Sequence, residues 1–166
     1  MANIFTSRIQ NPANYLQLNN GMTSVFISLL TLSGSQLAEG TAEIELVTWL
    51  ASRDQNVMGL GMVGFDLQDM PWSDEIDDFN SQKTLLIRMI ERIKSGEVND
   101  CLSYQPPDIG RFLDIFAGMI DSFPVENCRI SQTAWHLRPT KLGLRCKIHD
   151  VFLHLAGCII CNDQVD

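Results

Sequence analysis

Residues 77–95 read DDFNSQKTLLIRMIERIKS, and this stretch decides the class of fold. Phe79, Leu86, Ile90 and Ile93 recur at helical spacing on one face, with Leu85 and Met89 beside them. The intervening positions are polar or charged, as on a helix that buries one stripe. Gly96 follows directly and is a natural stop. The spacing therefore predicts an amphipathic helix over residues 77–95.

Working outward, a turn containing Pro106-Pro107 separates this helix from a second one expected over residues 108–122. Ile109, Phe112, Leu113, Phe116 and Ile120 form its stripe, and Pro124 ends it. Upstream, Thr41 is a good N-cap for a helix running to about Ser52, with Ile44, Val47 and Ala51 on one side. Met22 to Leu37 fits a helix or a strand. Phe26, Leu29, Leu30 and Leu37 suit helical packing, while the β-branched and serine content also allows an extended chain. Residues 1–20 are polar, with turn signals at Asn11-Pro12 and Asn19-Asn20-Gly21. Cys146 to Cys161 reads as one or two short strands turning near Gly157. The expectation is an α+β fold: a mostly helical single domain over residues 1–166, three or four helices packed together, and a small C-terminal β unit.

Composition supports that reading. The chain has 166 residues, 45% of them hydrophobic and 19% charged, which is enough to bury a core without disulfide staples. Twelve lysines and arginines face 20 aspartates and glutamates, a net charge of −8. That balance argues against direct nucleic-acid binding, which needs clustered cations. The most apolar window, Val25 to Leu32, is far short of the roughly 20 residues of a membrane span. The first residues lack the basic start and apolar run of a signal peptide. A cytoplasmic protein with reduced thiols is the expectation.

The acids are not spread evenly. Asp66, Asp69, Asp74, Glu75, Asp77 and Asp78 fall in one 13-residue window that holds no base and carries −6 of the net charge. The same window contains Pro71-Trp72, a stiff turn beside a residue type that often anchors interfaces. One reading is a solvated acidic turn whose charges favour the start of the next helix. The other is a rigid acidic loop, including Trp72, that docks on a cationic cleft such as that of a nuclease.

A second constellation is His149-x4-His154-x3-Cys158-x2-Cys161. Two cysteines with two residues between them form the usual zinc-knuckle pair, and two histidines supply the remaining donors of a tetrahedron. Zinc is accordingly a possible cofactor, with His149, His154, Cys158 and Cys161 as the ligand set and His136, Cys128 and Cys146 as substitutes. The bland alternative is a buried β unit with satisfied histidines. No spacing pins a nucleophilic set such as Cys101, His136 and Asp150. Residues 59–64, GLGMVG, spell a dinucleotide fingerprint, but acids follow at once, and close backbone packing is the better reading.

Three blocks carry a resemblance. Trp49 to Gln55, then Gly61 to Leu67 with Pro71-Trp72, and finally His149…His154-Leu155-x-Gly157 to Asn162 are similar to segments of small bacterial immunity proteins. Those proteins are encoded beside polymorphic toxins, including contact-dependent growth inhibition toxins. The resemblance implies tight binding to one cognate toxin domain, often a basic nuclease, with no catalysis by the immunity protein itself. A zinc-stabilised intracellular adaptor is the alternative. The resemblance assigns no site residues, and the His and Cys motif can serve the fold alone.

Overall fold

The computed structural model describes residues 2–7, 15–98, 102, 104, 106–124, 126 and 138–164. The element order is β1 (Ala2–Thr6), β2 (Tyr15–Asn19), α1 (Asn20–Leu37), α2 (Thr41–Ser52), α3 (Gln55–Met58), α4 (Ile76–Lys94), α5 (Ile109–Ser122) and α6 (Ile159–Asp163). The two amphipathic helices lie where their periodicity puts them. Helix α4 buries Phe79, Leu85, Leu86, Met89, Ile90 and Ile93, and α5 buries Leu113, Phe116, Met119 and Ile120. Gly96 ends α4, donating its N–H to the Ile93 carbonyl.

Residues 22–37, which fit either helix or strand, belong to a helix. Asn19 caps it through a 2.8 Å bond from the Met22 N–H. Every residue from Val25 to Ser35 is buried. A helix enclosed on all sides loses the one-sided pattern that marks helices in sequence. Helix α1 packs against α2 and α4, and α4 also packs on α2 and α5. Gly34 lies at the close approach: a Cβ there would come within 2.7 Å of Val47 and 2.9 Å of Met89. Small polar residues on α1 find partners across the core. Ser33 donates to the Met89 carbonyl, and Ser35 accepts from the Phe152 N–H.

Helix α2 starts at Thr41, as expected, but its N-cap is Gly40, and no side chain caps it. The glycine-rich stretch divides: Gly59 and Gly61 take the positive φ of turn residues, and Gly64 packs closely. Gly64 lies on β1, where a Cβ would fall 2.1 Å from the Ile4 carbonyl oxygen.

The expected C-terminal β unit is a correction. The β-sheet of the described residues is N-terminal: β1 and β2 pair antiparallel, from Ala2↔Asn19 to Thr6↔Tyr15. Strand β2 alternates strictly, with Leu16 and Leu18 inward. Strand β1 conceals its register because it buries Asn3 and exposes Ile4. The Asn3 amide shares its protons among Asn20, Thr23 and Gln55, and its oxygen accepts from Val63 and Gly64 N–H. The C-terminal unit instead has two isolated bridges, Arg145↔Phe152 and His154↔Gly157, followed by α6. Val151, Ile159 and Ile160 fill core space, while the backbone turns around side-chain sulfur.

Candidate metal centre and acidic face

Four side chains converge in the C-terminal unit: Cys146, His149, Cys158 and Cys161, whose donor atoms all lie within 4.8 Å of one another. The first pair sits in a tight turn. Cys146 N–H donates to the Val151 carbonyl, and Asp150 N–H donates to the Cys146 carbonyl. Asp150 takes a positive φ of 52° to complete the turn. The second pair opens α6: Cys158 is its N-cap and Cys161 lies within it. Each turn also points a backbone N–H at a sulfur, Ile148 at Cys146 and Cys161 at Cys158.

The distances can be compared with a tetrahedron. Bonds of about 2.3 Å to sulfur and about 2.0 Å to nitrogen place sulfurs roughly 3.8 Å apart and sulfur roughly 3.5 Å from nitrogen. Cys146 Sγ lies 3.8 Å from Cys161 Sγ. His149 Nδ1 lies 3.8, 3.6 and 3.3 Å from the sulfurs of Cys146, Cys158 and Cys161. All three cysteines are free thiols, two of them buried. Cys146 and Cys158 do not ionise alike. The His149 and Ile148 N–H groups pull the Cys146 thiol down to about 6, against burial. Burial pushes the Cys158 thiol up to about 12. The four donors fit a metal ion such as zinc. An ion bound by all of them has no open position for substrate, which is the structural kind of site.

The structure brings together three of the four residues read from sequence as ligands, and Cys146, read as a substitute, takes the fourth place. His154 does not join them. It is buried and places Nε2 3.1 Å from Asp54 Oδ2, while Ala156 N–H donates to its Nδ1. The Nδ1 lone pair is thus engaged, and the proton sits on Nε2. Asp54 also accepts from the Asn162 amide at 2.8 Å and from the Asn56 N–H. His154 and Asn162 therefore clamp the C-terminal unit to the end of α2. Cys128, His136 and Cys101 lie outside the described residues. The repeated spacing, Cys146-x2-His149 and Cys158-x2-Cys161, carries the correct set in sequence. Asp54 gives no such signal, because its partner is 100 residues away.

The acidic window divides in two. Asp66 is buried and accepts from Gln68 N–H to cap a short turn over Leu67–Asp69. Asp69 is exposed but lies in the field of Arg53. Burial lowers that guanidinium to about 10, and Asp69 holds it up. Trp72 is a core residue at 2% exposure, so the expected docking anchor is corrected. Its indole N–H donates to the Leu67 carbonyl at 2.7 Å, and its ring stacks on Phe123 and tilts against Phe79. Trp72→Ala is expected to cost about 3–5 kcal/mol in chemical denaturation. A surface anchor would show almost no loss.

The rest of the window is surface. Asp74, Glu75, Asp77 and Asp78 are exposed, and none has an ion-pair partner among the described residues. Gln82 fixes their backbone: its oxygen accepts from Ser73 N–H, and its nitrogen donates to the Pro71 and Ala42 carbonyls. Asp74, Asp78 and Glu45 line one cleft together with Pro71, Trp72 and Gln82. Glu45 is paired with Arg138.

No protein-family model, curated protein or solved structure matches the chain. No helix of the described residues is long and apolar enough to cross a membrane.

Proposed function

We propose that the chain is an immunity protein that binds and neutralises a cognate secreted toxin domain, performing no reaction of its own. The observation that carries this reading is the exposed set Asp74, Glu75, Asp77 and Asp78, held on a rigid frame by Gln82 and the buried Trp72. Four carboxylates fixed on one surface suit a basic partner such as a nuclease active cleft, and they favour fast, selective encounter. The contact is narrower than the whole acidic window, since Asp66 and Trp72 serve the core. The bacterial cytoplasm is the compartment that suits its free thiols.

Co-expression tests the function. Cells making the toxin encoded beside this chain grow when the chain is present, and the two proteins co-elute by size exclusion. No rescue and no complex would end the reading. Reversing Asp74, Glu75, Asp77 and Asp78 to lysine is expected to weaken toxin binding by about tenfold or more and to flatten its salt dependence. Unchanged affinity by calorimetry would move the contact elsewhere.

The Cys146, His149, Cys158 and Cys161 cluster favours a second reading, compatible with the first: a zinc-stabilised binding domain. Four of its six donor separations, 3.3–3.8 Å, lie close to those of a tetrahedral zinc ion, which then serves the fold. Elemental analysis of the purified chain tests this, with one zinc per chain expected.

A further inference from the structure

The candidate metal ligands carry a second chemistry, because thiolate sulfur is also the group that peroxides oxidise. Cys146 Sγ and Cys161 Sγ lie 3.8 Å apart, although 15 positions separate the two residues in the chain. A disulfide holds its sulfurs about 2.05 Å apart, so the pair closes by roughly 1.8 Å when the bond forms. The turn that carries Cys146 is free to make that movement. Its Lys147 and Ile148 are exposed, and neither is packed in the core. The sulfurs also differ in access. Cys146 and Cys158 are buried, whereas Cys161 is half-buried, so solvent reaches the cluster at Cys161.

We infer that Cys146 and Cys161 form a peroxide-sensitive switch, in which hydrogen peroxide joins the two sulfurs as a disulfide and the site gives up its metal. The Cys161 sulfur attacks the peroxide first. The O–O bond breaks, one oxygen stays on sulfur as a sulfenic acid, and the other leaves as water. The Cys146 sulfur then attacks the Cys161 sulfur. The S–S bond forms, the S–O bond breaks, and hydroxide departs as a second water after taking a proton. In all, two thiolates, one hydrogen peroxide and two protons give one disulfide and two waters. The sulfurs are oxidised and the peroxide is reduced.

Oxidation and ligation compete for the same sulfurs. Once Cys146 and Cys161 are joined, Cys158 and His149 remain, two donors where a tetrahedral ion needs four. The disulfide links the same two turns that the metal would hold together, so the C-terminal unit keeps a cross-link in both states. The release of metal rests on the metal reading, whereas the pairing of the two sulfurs rests on their separation and access. The experiment reads the two separately.

The metal content of the purified, reduced chain is measured first. Hydrogen peroxide is then added beside a coloured zinc indicator, and tryptic peptides are mapped by mass spectrometry without reduction. Trypsin cuts after Arg145 and Lys147, so Cys146 travels on a dipeptide apart from Cys158 and Cys161. The expected result is release of about one zinc per chain, with that dipeptide joined to residues 148–166 through Cys161. Dithiothreitol and added zinc restore the starting metal content. A Cys101→Ser, Cys128→Ser chain behaves in the same way, because neither sulfur takes part. Zinc held while glutathione in the same tube is oxidised, a bond from Cys146 to another sulfur, a bond that leaves Cys146 out, or sulfinic acid at Cys161 without a bond would each overturn the switch. A chain that holds no zinc at the outset would fail the metal reading alone, and the peptide map would still decide the pairing.

Discussion

Cys161→Ser is expected to leave the purified chain without zinc and to lower its melting temperature by roughly 10 °C. Cys161 sits at the meeting of the two knuckles, 3.8 Å from Cys146 and 3.3 Å from His149 Nδ1. Losing its sulfur removes one of four donors, and a neutral hydroxyl is a poor substitute for a thiolate. The helical core of α1, α2, α4 and α5 is built without the site, so the loss is local in origin. It propagates because Phe152, Val151 and Ile160 of the same unit are core residues. A chelator in excess is expected to give the same melting temperature in the parent chain. His154→Ala is the control: it destabilises the chain but keeps one zinc, because His154 bonds to Asp54 and not to the cluster. Full zinc in Cys161→Ser, or lost zinc in His154→Ala, would overturn the ligand set.

Asp54→Ala should cost about 2–4 kcal/mol, on the scale of leaving two buried neutral donors unsatisfied. The carboxylate is buried and serves four donors: His154 Nε2, the Asn162 amide, and both the backbone N–H and the side-chain amide of Asn56. Removing it strands the imidazole and the amide in the interior, where an unsatisfied polar group is costly. The same contact predicts a pH dependence. Burial pushes the Asp54 carboxyl up, but the bonds from His154, Asn162 and Asn56 together hold it below the usual 3.8. With the folded-state value depressed, the stabilisation is fully present above the unfolded value of about 3.8. It is lost as the pH falls through the folded-state value. Asp54→Asn keeps the shape without the charge. Its stability is therefore expected to fall less steeply below pH 4 than that of the parent chain, measured by urea denaturation across acid pH. Parallel curves would show that Asp54 does not carry this dependence.

The acidic window shows how one stretch of sequence can serve two purposes. Its first half holds the chain to the core through Asp66, Met70 and Trp72. Its second half presents carboxylates at the start of α4, where negative charge also suits the helix dipole. The sequence displays the charge but not the division. Tryptophan beside acids reads as an anchor until Phe79 and Phe123 are seen to enclose it.

What the sequence determined by itself is the pair of one-sided helices, α4 and α5, and the concentration of metal-type donors near the C-terminus. Both are written in local spacing, and a stripe of apolar residues or a knuckle pair needs no distant partner to be recognised. Helix α2 was legible too, from Thr41 to Ser52, but the tertiary structure decided the features that follow. Helix α1 is buried on every side and so carries no periodic contrast, and β1 hides behind a buried asparagine. His149 and His154 are five residues apart, yet one faces three sulfurs and the other faces Asp54. Which way each imidazole points is fixed by partners that only the folded chain brings within bonding distance.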